Sequence, residues 1–130
     1  MKIMVLCREA EEQDGFCRKE FIFTVSPIRH FKDGAHGNQI SKAGLLLGIE
    51  DALDHHDGSG HCLADYFPSY EIMMDELRDY RFYAEDMCHP TSQAVNYIRE
   101  RFLNWALPAS EIPQLEENIR SYKRSCHIVK

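Results

Sequence analysis

Asp86 and His89 stand three residues apart in the segment Ala84-Glu-Asp-Met-Cys-His-Pro-Thr91. An acid and an imidazole are the two groups with which a hydrolase activates a hydroxyl nucleophile. In that chemistry His89 takes the hydroxyl proton and returns it to the leaving group, while Asp86 fixes the ring tautomer and stabilises the imidazolium. The spacing alone is weak, because Asp33 and His36 repeat it. Context separates the two: Asp33 and His36 lie in a Gly-containing loop, whereas His89 is followed by Pro90 and an amphipathic run. The other half of a triad is missing from the 130 residues. No Ser sits in a Gly-flanked strand-to-helix turn where a nucleophile and oxyanion donors are built together.

Other groups are weighed against this pair. Ser26, Arg29 and His30 follow a predicted strand at its carboxyl end, the edge where open α/β sheets bind ligands, so they are candidates to contact substrate, with Arg29 suited to an anionic group. The competing reading is a solvated loop with Ser26-Pro27 as a strand stop. His55-His56-Asp57 with His61 has metal-ligand types, but adjacent histidines point apart and the Gly58-Ser59-Gly60 link reads as a turn, so no metal site and no cofactor are expected. Cys88 beside His89 is better read as a packing thiol than as a protease nucleophile. Tyr80, Phe82 and Tyr83 lie among acids and read as cover for the loop, not as a base-stacking platform.

The elements that must position these groups are legible in the hydrophobic pattern. Phe21 to Val25 is a continuous β-branched and aromatic run, the signature of a buried strand. After a polar loop, Asn38 is a good N-cap for a helix over Gln39 to Leu53, with Ile40, Ala43, Leu46, Leu47, Ile49 and Leu53 as its apolar face and Ser41 and Lys42 as helix-start residues. His61 to Phe67 is a weaker strand. Thr91 to Leu107 is an amphipathic helix with Pro90 suited to its first position, and residues 108–130 form a terminal helix through Leu115, Ile119 and Tyr122. Strand, helix, strand, helix is the order of a βαβ protein, and Lys2 to Cys7 is the candidate for a further strand. If it fails to complete the sheet, homo-oligomerisation or a partner must cover the edge.

Composition narrows the class. A chain of 130 residues, 44% hydrophobic, suffices for a single domain over residues 1–130 without disulfide or metal support. A net charge of -6 argues against nucleic acid or an anionic membrane as partner. Ile3 to Cys7 is too short for a signal peptide core, and nothing reaches the length of a membrane span. Five cysteines without a C-x-x-C pair suggest reduced thiols and a cytoplasmic location.

Three stretches, Thr24-Val-Ser-Pro-Ile-Arg-His30, Asn38-Gln-Ile-Ser-Lys-Ala43 and Tyr66 through Asp86-Met-Cys-His89, carry a resemblance to the GSCFA family over roughly residues 21–104. That family is similar to the SGNH or GDSL-type hydrolases. The resemblance implies an α/β fold, a partial three-layer α/β/α sandwich with a short, mostly parallel sheet of SGNH-hydrolase or flavodoxin-like type. It implies that Asp86 and His89 are the family's acid and base, and that the nucleophile belongs to a Gly-Ser-Cys-Phe-Ala motif that these residues lack. The chain then corresponds to the C-terminal portion of a Ser-dependent ester hydrolase or acyl transferase acting on a small ester or acylated substrate. It is expected to be inactive alone and to dock with the missing N-terminal portion. The alternative is a non-catalytic α/β module acting through self-association or a protein partner.

Overall fold

The computed structural model describes residues 3–11, 17–55 and 62–128. Three strands, β1 (Ile3–Glu11), β2 (Cys17–Val25) and β3 (Cys62–Tyr66), form one sheet in the order β1-β2-β3. The β2–β3 pair is parallel, from Lys19 opposite Cys62 to Phe23 opposite Tyr66, and helix α1 (Gly34–Asp54) makes the crossover that parallel pairing requires. β1 is antiparallel to β2, from Ile3 opposite Val25 to Glu11 opposite Cys17. The fold is α/β, a partial α/β/α arrangement in which the amino-terminal residues supply the third strand.

β2 is central because its residues tolerate burial on both faces: Ile22 and Thr24 are buried on one side, and Val25 is fully enclosed on the other. Val25, Ile49 and Tyr70 form a core, with Phe23, Leu45, Leu46, Leu53, Tyr66 and Met74 packed around it. Burying Ile49 contributes about 1.5–3 kcal/mol.

α1 differs from its sequence expectation in start and in face. It begins at Gly34, with Asp33 at the cap position, so Asn38 is not an N-cap but an interior residue. Gly37 lets the added turn form, since a Cβ there would sit 2.8 Å from the Cβ of Asp33. The inward stripe runs Asn38, Lys42, Leu45, Ile49, Leu53, a helical spacing that includes two polar residues. Ile40 and Leu47, expected inside, are 60% and 71% exposed.

After β3 the chain makes a short helix, α2 (Ser69–Glu71), and a wide turn over Ile72–Glu76, closed by the Leu77 N–H donating to the Ile72 C=O at 3.0 Å. Helices α3 (Ser92–Ala106) and α4 (Ile112–Ile128) follow. The chain divides into two compact units, 1–95 and 96–130. In the second, Leu103, Ile112, Leu115 and Ile119 line the groove between the end of α3 and α4. Among the described residues no helix is long and apolar enough to cross a membrane.

Candidate active site

The loop leaving the carboxyl end of β2, Ser26 to His30, is held from α1. Lys42 Nζ donates to the Ser26 C=O, and Asn38 Oδ1 accepts the His30 N–H at 2.8 Å. Lys42 is only 1% exposed and lies 5.0 Å from the Tyr70 ring centroid, while the Tyr70 hydroxyl donates to Gln39 Oε1 at 2.5 Å. Burial lowers the Lys42 amine from its ordinary value and raises the Tyr70 hydroxyl. Sequence reasoning placed Ser41 and Lys42 at a helix start, but both are mid-helix and Lys42 is a loop anchor. The signal was available, because Asn38 and Lys42 share the periodic stripe of Leu45 and Ile49.

Buried hydroxyls fix the carboxyl ends of β2 and β3. Thr24 Oγ1 donates to the Phe67 C=O at 2.7 Å, Ser69 Oγ donates to the Val25 C=O at 2.8 Å, and the two oxygens are 2.6 Å apart. Ser69 is committed to this network. Nearby, the Tyr66 hydroxyl donates to both Glu71 carboxylate oxygens at 2.9 Å, and burial together with that carboxylate pushes it well above the usual phenol range.

Asp86 and His89 sit at the tip of a narrow loop. Its neck is closed by the Ala84 N–H donating to the His89 C=O at 2.7 Å and the Thr91 N–H donating to the Phe82 C=O at 2.8 Å, with Tyr83 paired to Pro90. Pro90 is therefore a bridge residue and not the first residue of α3, which starts at Ser92. Thr91 Oγ1 accepts the Ala94 N–H at 3.4 Å. Met87 occupies the left-handed region at φ 58, which costs about 1–2 kcal/mol for a residue with a Cβ. The turn that results lets Asp86 Oδ1 accept the N–H groups of Cys88 at 2.9 Å and His89 at 3.0 Å, while Oδ2 faces His89 Nδ1 at 2.5 Å.

Those two backbone N–H groups, then the His89 ring, hold the Asp86 carboxyl down at about 2 against 3.8. An ionised carboxylate accepts and does not donate, so it is His89 Nδ1 that carries the proton in this contact, which leaves Nε2 as the ring nitrogen turned away from Asp86. The ring is 60% exposed, and the pair can therefore accept a proton from a group brought to it.

Arg29 joins the loop to this turn. Its N–H donates to the Cys88 C=O at 3.1 Å, its Nη1 to the Met87 C=O at 3.5 Å, and its Cζ lies 3.8 Å from the Tyr83 ring centroid and 5.6 Å from that of Tyr80. Tyr83 is 6% exposed, and burial raises its hydroxyl while Arg29 opposes the rise. The structure thus brings Arg29 against the Asp86–His89 turn. Ser26 and His30 lie on the same loop, and the Ser26 hydroxyl accepts the Ile28 N–H at 3.4 Å. The GSCFA family profile matches residues 10–102, which include this loop, the turn and the elements beneath them. The chain belongs to the GSCFA family. No curated protein and no solved structure matches it.

The second Asp-x-x-His pair of this GSCFA chain has a different geometry. Asp33 Oδ2 lies 3.7 Å from His30 Nε2, and both side chains are substantially exposed. His36 lies in the first turn of α1 rather than in the loop expected for it. His55 ends α1 with Nδ1 2.7 Å from the Asp51 C=O, while His56, Asp57, the Gly58-Ser59-Gly60 link and His61 lie outside the described residues. Among the described residues no group of three His, Cys, Asp or Glu side chains is placed to hold a metal ion.

Proposed function

We propose that Asp86 and His89 are the acid and base of an SGNH-type ester-hydrolysing or acyl-transferring site, whose nucleophile comes from a polypeptide bearing the Gly-Ser-Cys-Phe-Ala motif. The observation that carries this reading is the pairing of Asp86 Oδ2 with His89 Nδ1 at 2.5 Å while two backbone N–H groups secure Oδ1. That arrangement orients the imidazole with Nδ1 on Asp86 and Nε2 free of it, which is the orientation a general base for a hydroxyl requires. Ser26, Arg29 and His30 border the substrate side, and the substrate is a small ester or an acylated molecule. Removing one member of such a triad abolishes most of its advantage, because the groups act as a unit. The chain alone should give negligible turnover of short-chain p-nitrophenyl esters. Mixed with a polypeptide carrying the family's nucleophile motif, it should gain hydrolysis that His89→Ala removes. Robust hydrolysis by the chain alone, abolished by His89→Ala, refutes the division of the site between two segments. Hydrolysis by the mixture that survives His89→Ala refutes the role of His89.

A second reading, a non-catalytic module that self-associates or binds a protein, draws support from Ile40 and Leu47 on the exposed side of α1 and from β3 standing at the sheet edge among the described residues. Light scattering across a micromolar concentration series tests it. A constant monomer mass removes the self-association form of this reading.

A further inference from the structure

We propose that Arg29 is a positioning residue for the Asp86–His89 pair, clamping the turn through the carbonyls of its strained residue, Met87, and of the residue that follows, Cys88. The inference rests on the reading of Asp86 and His89 as an acid–base pair. Three observations carry it. The first is where the contacts fall: the backbone N–H of Arg29 binds the Cys88 C=O at 3.1 Å and brings the side chain to the turn, where the guanidinium, the part that substitution removes, reaches the Met87 C=O at 3.5 Å. Met87 is the described non-glycine residue with positive φ, so Arg29 grips the turn at the point where its conformation is unfavourable.

The second observation is that the clamp is itself fixed. The guanidinium carbon lies 3.8 Å from the ring centroid of buried Tyr83, and the next residue, His30, is tied through its N–H to Asn38 Oδ1 on α1. The third is that the pairing depends on backbone shape more than on enclosure. Asp86 is 49% exposed and His89 60%, so little packing holds their side chains together. The Cys88 and His89 N–H groups converge on Asp86 Oδ1 only while the turn keeps its form. A planar guanidinium stacked on an aromatic face and forked toward a carbonyl is not reproduced by an ammonium, so lysine should fail in this role although it keeps the charge.

The test is nuclear magnetic resonance on the intact chain, reading the Asp86 carboxyl titration and the His89 ring-nitrogen shifts in wild type, Arg29→Lys and Arg29→Met. Wild type should titrate Asp86 near 2 and show the Nδ1–H tautomer. Both variants should raise the Asp86 midpoint by about one unit, a tenfold change in its dissociation constant, and mix the tautomers. Folded Arg29→Lys with the wild-type titration and tautomer overturns the proposal and leaves the acid–base pair standing. A merely structural Arg29 would lower the melting temperature alone. If wild type itself titrates Asp86 near 3.8 with mixed tautomers, the pair and the clamp both fall. Should the variants not fold, the wild-type guanidinium decides. Slow rotation about Cζ–Nε with cross-relaxation to Tyr83 ring protons supports the clamp, and free rotation without it overturns it.

Discussion

Replacing Ser69 by Ala should cost more stability than replacing Thr24 by Val, although both remove one buried hydroxyl from the same network. Phe67 donates the last rung of the parallel pair to the Phe23 C=O at 2.8 Å, and beyond it the Val25 C=O receives the Ser69 hydroxyl at 2.8 Å. Ser69→Ala leaves that carbonyl without its donor, an unmade buried bond worth about 1–3 kcal/mol. The Phe67 C=O, by contrast, accepts the Ser69 N–H at 2.9 Å as well as Thr24 Oγ1 at 2.7 Å. It keeps one partner in Thr24→Val, so that change should cost about 0.5–1.5 kcal/mol, the net worth of one hydrogen bond. Each hydroxyl has a single proton. When both are given to carbonyls, the 2.6 Å contact between the oxygens has no proton of its own, and it contributes little coupling. Urea unfolding of wild type, both single variants and the double variant measures all three quantities, with a coupling below about 0.5 kcal/mol expected. A Thr24→Val cost equal to or above that of Ser69→Ala, with coupling beyond about 1 kcal/mol, would refute the proton assignment.

Asp86 also sets a pH dependence. Its folded value, about 2, lies below the ordinary 3.8, so its contribution to stability is present above 3.8 and is lost as pH falls through about 2. The stability difference between wild type and Asp86→Asn, measured by urea midpoints at pH 5, 3 and 2, should shrink across that window, and a constant difference would contradict the carboxylate pairing. The same variant presents an amide to His89 Nδ1, and its ring-nitrogen shifts should report loss of the single Nδ1–H tautomer. The helical glycines of α1 should respond with opposite signs. Gly44→Ala, with nothing within 4 Å of the new Cβ, should stabilise by about 0.5–1 kcal/mol through helix propensity. Gly37→Ala sets its Cβ 2.8 Å from that of Asp33 and should destabilise by about 1–3 kcal/mol, so thermal melts that move both midpoints the same way would reject the packing of the first turn.

Much of the frame was legible because it follows from local period. The continuous run Phe21 to Val25 is a strand because both its faces are covered, and α3 extends from Ser92 to Ala106 within the span expected from its apolar spacing. Of the Lys2 to Cys7 candidate, Ile3 to Cys7 fall on β1, whose partner is β2, and Lys2 lies outside the described residues. α1 was misjudged at its start and on its face for one reason. A hydropathy reading assigns Lys42 and Asn38 to water, whereas here each meets a backbone group of the Ser26–His30 loop, and those bonds draw the polar residues inward while Ile40 and Leu47 face out. Pro90 was misplaced because residues 82–84 and 89–91 pair with each other, which delays the helix to Ser92.

By itself the sequence determined the strand and helix order and the nomination of Asp86 with His89, since periodicity and a three-residue spacing are properties of neighbours along the chain. It also supplied the family resemblance. Tertiary structure alone decided that Arg29 meets the Met87 and Cys88 carbonyls 58 and 59 residues away, and that Thr24 and Ser69 share a buried network across 45 residues. It likewise decided that a left-handed Met87 lets one carboxylate oxygen take two N–H groups while the other faces the imidazole. These contacts depend on which donors and acceptors the fold removes from water together, and no local pattern encodes that.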